Sequence, residues 1–178
     1  SGTPIWNYTL GNKVATIDIS DNGDYIVAGS GNAVYIFGKN NSNPLWSYTT
    51  GDDVRSVAIS ADGEYITVGS DDYNVYLFNK NNSTPIWSYS PSPGGGQVSS
   101  VSISSDGLYI ATGGSYGKIC LIENSGNLLL NYTASNSVYS VDISSDGRYL
   151  TAGSYDAKVY LFERDTNVPV IIFNKDNT

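Results

Sequence analysis

Val54-Arg-Ser-Val-Ala-Ile-Ser-Ala-Asp-Gly-Glu-Tyr-Ile-Thr-Val-Gly-Ser70 decides the fold, because the chain carries it four times. Its counterparts are 14–30, 98–114 and 138–154. Each copy holds two short apolar segments around a two-residue turn: Asn22-Gly23, Asp62-Gly63, Asp106-Gly107 and Asp146-Gly147. Such pairs favour tight hairpins, because both turn residues tolerate positive φ. Strand a is expected at Val14–Ser20, Val54–Ser60, Val98–Ser104 and Val138–Ser144, and strand b follows the turn, as in Tyr25–Gly29 and Tyr65–Gly69.

Working outward, a third apolar segment recurs as strand c: Val34–Phe37, Val75–Phe78, Ile119–Ile122 and Val159–Phe162. A polar loop then leads to strand d. Pro4-Ile-Trp-Asn-Tyr8, Pro44-Leu-Trp-Ser-Tyr48 and Pro85-Ile-Trp-Ser-Tyr89 are near copies, Leu128-Leu-Leu-Asn-Tyr132 is a degenerate fourth and Pro169-Val-Ile-Ile-Phe173 a fainter fifth. The starts at 4, 44, 85, 128 and 169 repeat every 40 to 43 residues. Four strands at that period are the mark of propeller blades. Strands b and c are apolar on both alternating faces, so each sheet must be buried between two others, which radial repetition provides. Strand a is mixed, with Ser56, Ser100, Ser102 and Ser140, as suits an inner strand lining a wet channel. The expected fold is an all-β propeller segment of four blades, each of four antiparallel strands. One domain spans 1–178, with repeats at about 4–43, 44–84, 85–127 and 128–168 and a partial one at 169–178.

The 178 residues are 40% hydrophobic and 15% charged, which suits a folded chain. The formal net charge of −8 repels phosphate backbones and argues against nucleic acid as a partner. The longest apolar runs, about five residues, are too short for a membrane-spanning helix. There is no His and only one Cys, so the usual general base and Cys- or His-based metal sites are missing. No catalytic residue, metal site or cofactor is assigned. Without a leading Met or a visible signal peptide, the chain is expected to be trimmed at its N-terminus.

The pattern V-x-S-V-x-I-S-x-D-G-x-Y-I-x-x-G-S, then V-Y-L-F and P-I-W-x-Y, resembles WD-repeat propellers and the related pyrroloquinoline-quinone-type propeller repeats. Phe37-Gly38 and Phe78-Asn79 stand where WD repeats carry Trp-Asp. The resemblance covers nearly the whole chain and implies fold; such folds host many functions. It also implies that d–a and b–c loops share one rim of the ring.

Trp6, Trp46 and Trp87 share one repeat position and are expected to pack between blades. Asp21-Asn-Gly-Asp24 looks like a calcium loop but is read as a turn, and Cys120 as an inert core thiol. What breaks the repeat is more telling. Of 15 Tyr, 11 are in register. Tyr73, Tyr116 and Tyr155 instead fall in b–c loops and Tyr139 just inside strand a. The same rim carries Asp52, Asp53, Arg55, Asp71, Asp72 and Asp156, and the long loop Ser90-Pro-Ser-Pro-Gly-Gly-Gly-Gln97. Solitary Tyr among scattered charge suits a recognition surface. The candidate binding residues are Asp52, Asp53, Arg55, Asp72, Tyr73, Tyr116, Tyr139 and Tyr155.

The expected function is a non-catalytic binding or scaffold module with a protein or surface-ligand partner. The alternatives are a fragment of a larger propeller enzyme and a structural element of a surface assembly. Asn-x-Ser/Thr occurs at Asn7, Asn40, Asn81, Asn82 and Asn131, which are glycan acceptors in a secreted chain. With few Lys and much Asn, Ser and Tyr, they point to an extracellular or cell-surface protein of archaeal or bacterial type; a cytoplasmic location is the alternative. Five d segments for four a–b–c sets suggest an open half-ring, cut from a longer protein or paired as a homodimer that completes eight blades. A closed four-blade ring is the other expectation.

Overall fold

Four antiparallel sheets follow one another along the chain, each a simple up-and-down meander. The first sheet is β1 (Val14–Ile19), β2 (Tyr25–Ser30), β3 (Ala33–Gly38) and β4 (Pro44–Thr49). The second is β5 (Val54–Ile59), β6 (Tyr65–Ser70), β7 (Val75–Asn79) and β8 (Trp87–Tyr89). The third is β9 (Val98–Ile103), β10 (Tyr109–Gly114), β11 (Lys118–Glu123) and β12 (Leu128–Thr133). The fourth is β13 (Val138–Ile143), β14 (Tyr149–Ser154), β15 (Lys158–Glu163) and β16 (Pro169–Asn174). The computed structural model describes residues 2–166 and the backbone strand 169–174. The expected tail at 175–178 lies outside the described residues. The only described helix is one 3₁₀ turn at Ser115–Gly117. One strand differs from expectation: Ile5–Thr9 forms none, and no strand among the described residues pairs with it.

The sheets stack in sequence order, β5 packing against β1 and β9, and β9 against β13. Each joint buries both partners. Val27, Val34 and Ile36 of the first sheet meet Val54, Val57, Ile59, Tyr76 and Phe78 of the second. The third joint repeats this with Ile119 and Leu121 against Val138, Val141, Tyr160 and Phe162. Bringing sheets this close requires Gly in strand b: a Cβ on Gly29, Gly69 or Gly113 would stand 2.5–2.7 Å from Cγ1 of Val54, Val98 or Val138. The Trp residues are equivalent. The indole N–H groups of Trp6, Trp46 and Trp87 donate to the carbonyls of Lys39, Lys80 and Asn124, each just past strand c of the following sheet.

The inner strands are also tied across the joints. The Ser56 and Ser100 hydroxyls accept from the N–H groups of Val101 and Val141, and that of Thr16 from Val57. These serines, expected only to line a channel, cross-link neighbouring sheets. Cys120 is buried, and burial pushes its thiol up to about 12, so it is unreactive.

Every a–b turn repeats one hydrogen-bond set. The Oδ1 of Asn22, Asp62, Asp106 and Asp146 accepts from the Ser hydroxyl two residues before it at 2.6–2.7 Å. It also accepts from the backbone N–H two residues after it. Asn22 does this without charge, which gives Asp21–Asp24 a turn role. At Asp146 the Ser144 hydroxyl, helped by the Arg148 N–H, holds the carboxyl below its usual range. At Asp62 partial burial pushes upward, but the Ser60 hydroxyl and the Glu64 N–H outweigh it and the carboxyl is again lowered. A carboxyl lowered on folding contributes stability that is complete above its unfolded value, about 3.9. That stability is lost as pH falls through the lower folded value. The urea midpoint should therefore hold from neutral pH to about 5 and fall steeply below about 4. Asp62→Asn with Asp146→Asn, which keeps the acceptor and removes the charge, should flatten that acid limb.

Candidate binding rim

The b–c and d–a loops lie together on one rim. Asp71 N–H donates to the Asp53 carbonyl and Gly51 N–H to Asp72 Oδ2. On this rim Tyr73, Tyr116, Tyr139 and Tyr155 are all exposed. Tyr73 and Tyr116 sit in the left-handed region, at φ 76° and 60°, which is uncommon for a bulky residue.

The long loop packs beside these tyrosines. A Cβ on Gly96 would approach the Tyr116 ring to 2.9 Å, and one on Gly95 the Tyr73 ring to 3.9 Å. The 3₁₀ turn carrying Tyr116 packs on β13, the strand of Tyr139. The Tyr139 and Tyr155 rings meet edge to face, centroids 6.0 Å apart. The rim thus presents aromatic rings from the second sheet to the fourth.

The charged residues divide. Asp72 is engaged internally: Oδ2 accepts from Gly51 N–H at 2.7 Å and the Tyr76 hydroxyl at 2.6 Å, and Oδ1 from Asn74 N–H. Burial first, then this bond to Asp72, raises the Tyr76 hydroxyl above the usual phenol range. Asp156 takes the same part in the fourth sheet, with Ser135 N–H and the Tyr160 hydroxyl. Both brace loops. Arg55 donates two hydrogen bonds to Oδ2 of the nearly buried Asp71, which raises its own pKa. Asp52 and Asp53 stay exposed, and Asp53 lines a shallow pocket with Asn12, Lys13 and Arg55.

In the inner strands Asp18 Oδ2 accepts from Ile59 N–H, and Asp142 Oδ1 from the Ser102 hydroxyl. Among the described residues no three His, Cys, Asp or Glu side chains gather as metal ligands. No helix among them is long and apolar enough to cross a membrane. The five Asn of the Asn-x-Ser/Thr sites are exposed.

Sheets of four strands, stacked in sequence and locked by a periodic Trp, define a β-propeller segment of the pyrroloquinoline-quinone repeat type. The chain belongs to the family whose model is described as outer membrane protein assembly factor BamB, which matches residues 1–170. No curated protein matches it.

Proposed function

We propose that the chain is a non-catalytic scaffold that binds a protein partner through the tyrosine rim, outside the cytoplasm. The observation that carries this reading is the set of four out-of-register tyrosines exposed on one rim. Exposed Tyr provides large contact area at low entropic cost, and partner residues of this kind dominate binding energies. The family description, an assembly factor for outer membrane proteins, favours a protein partner and a surface or periplasmic setting. Asp52, Asp53 and Arg55 add charge at the edge of the patch, where it governs encounter and register.

Tyr73→Ala or Tyr155→Ala should each weaken partner binding by about 1–2 kcal/mol at unchanged stability, as read by titration calorimetry. Asp106→Asn and Asp146→Asn, on the opposite rim, should leave binding unchanged. Equal losses from both rims would remove the reading.

A further inference from the structure

The fold sorts the five Asn-x-Ser/Thr motifs at Asn7, Asn40, Asn81, Asn82 and Asn131. None lies on the tyrosine rim, where Asn12, Asn32, Asn74 and Asn136 all lack a hydroxyl two positions on. Asn40, Asn81 and Asn82 lie in c–d loops, at the other end of the sheets. Backbone bonds from Lys39 N–H to the Asp24 carbonyl and from Lys80 N–H to the Glu64 carbonyl tie those loops to the a–b turns.

A transferase that modifies Asn must take up both ends of the side-chain amide and read the hydroxyl two residues on. Both groups therefore have to be free, at a point where the chain turns outward. Three motifs fail this requirement. On either side of Asn7, Trp6 and Tyr8 stack on the Phe37 ring. Asn131 sits within β12, paired to Cys120 of β11, and the hydroxyl of its Thr133 accepts from the Lys118 ammonium at 3.0 Å. The Asn82 Oδ1 accepts from Thr84 N–H at 2.9 Å, and Pro85 narrows the backbone choices of Thr84.

Two motifs meet it. Lys39-Asn-Asn-Ser42 and Lys80-Asn-Asn-Ser83 are the same four residues in successive sheets. The second Asn of each anchors the loop. Asn41 N–H donates to the Gly38 carbonyl and Asn82 N–H to the Asn79 carbonyl. The Oδ1 of Asn41 and that of Asn82 each accept from the backbone N–H two residues on. This leaves Asn40 and Asn81 at the turn tips, exposed. Among the described residues neither their side-chain amides nor the Ser42 and Ser83 hydroxyls make a hydrogen bond.

We propose that Asn40 and Asn81 carry N-linked saccharides, which project from the rim opposite the tyrosines and leave the tyrosine rim bare. This rests on the reading of the chain as one that works outside the cytoplasm. In the transfer step the Asn Nδ2 bonds to the anomeric carbon of a saccharide carried on a lipid phosphate. The bond from that carbon to the phosphate oxygen breaks. The lipid phosphate leaves with the electron pair, and Nδ2 gives up one proton to solvent. A saccharide is bulky and solubilising. At turn tips outside every strand ladder it displaces no backbone hydrogen bond of a sheet.

Mass spectrometry of intact glycopeptides, from the full chain purified from its native host, tests this. A saccharide should be located on Asn40 and on Asn81, with Asn7, Asn82 and Asn131 bare. Two neighbouring substitutions separate the overlapping motifs. Ser83→Ala removes the hydroxyl that serves Asn81 and keeps the motif of Asn82 and Thr84, so the loop should lose its saccharide entirely. Thr84→Ala does the reverse, and the loop should keep it. Circular dichroism should show both chains folded. A bare Asn40 or Asn81 in the wild-type chain overturns the proposal. So does a loop saccharide that survives Ser83→Ala, or one that is lost with Thr84→Ala. Fractionation of the same cells reads the location by itself. A chain found outside the cytoplasm with both Asn bare overturns the sites alone, and one found bare in the cytoplasm overturns the location as well.

Discussion

Phe78→Ala should lower the unfolding free energy by about 3–5 kcal/mol, as expected for a large cavity in a close-packed site. Phe78 is fully buried where the first and second sheets join. The Trp46 and Tyr48 rings close over it at 5.3 and 5.1 Å, geometry in which aromatic pairs add to simple burial. Trp46 is also fixed through its indole N–H to the Lys80 carbonyl, so it cannot easily collapse into the void. Phe37→Ala, at the same repeat position, should cost less. Its cover is Trp6 and Tyr8, from a segment with no strand of its own. Urea denaturation of the two variants measures the difference. Equal costs would mean that the joint contributes nothing beyond local burial.

Gly113→Val and Gly153→Val should differ sharply although they change the same repeat position. At Gly113 the new Cβ alone would lie 2.5 Å from Val138 Cγ1 and 2.6 Å from Val141 Cγ1. Both valines are buried and have nowhere to move, so the cost is about 3 kcal/mol, near the upper end for overpacking. At Gly153 the same methyls meet open space, and the monomer should change by no more than ~0.5 kcal/mol. Thermal denaturation at concentrations where the chain is monomeric reads both. Similar penalties would show that the fourth sheet is covered within its own chain.

The four-blade repeat was legible because hairpin turns and two-sided apolar strands leave strong local signals. The Asx-Gly turns, the strand order and the equivalence of Trp46 and Trp87 all follow from residues close in sequence. What crosses a joint was not legible. Ser56 reads as polar residue on an inner strand, yet its hydroxyl accepts from Val101 N–H, 45 positions away. Asp72 reads as rim charge, yet Tyr76 and Gly51 take up its carboxylate. Pro4–Tyr8 matches the strand d pattern as well as Pro85–Tyr89 does, but a strand needs a neighbour and no described strand pairs with it. The rim tyrosines were visible as departures from the repeat. The Tyr139–Tyr155 ring contact and the seat of the long loop on Tyr73 and Tyr116 needed coordinates, because sequence register does not say which loop tips meet.

The proposed binding role rests on one rim differing from the other, and site-specific photo-crosslinking in the native host tests that most directly. A benzophenone side chain placed at Tyr155 or Tyr116 should give one discrete crosslinked protein. The same group placed at Asp106 or Asp146, on equally folded chains, should give none. The same crosslinked protein at similar yield from both rims, or from neither, would contradict the account.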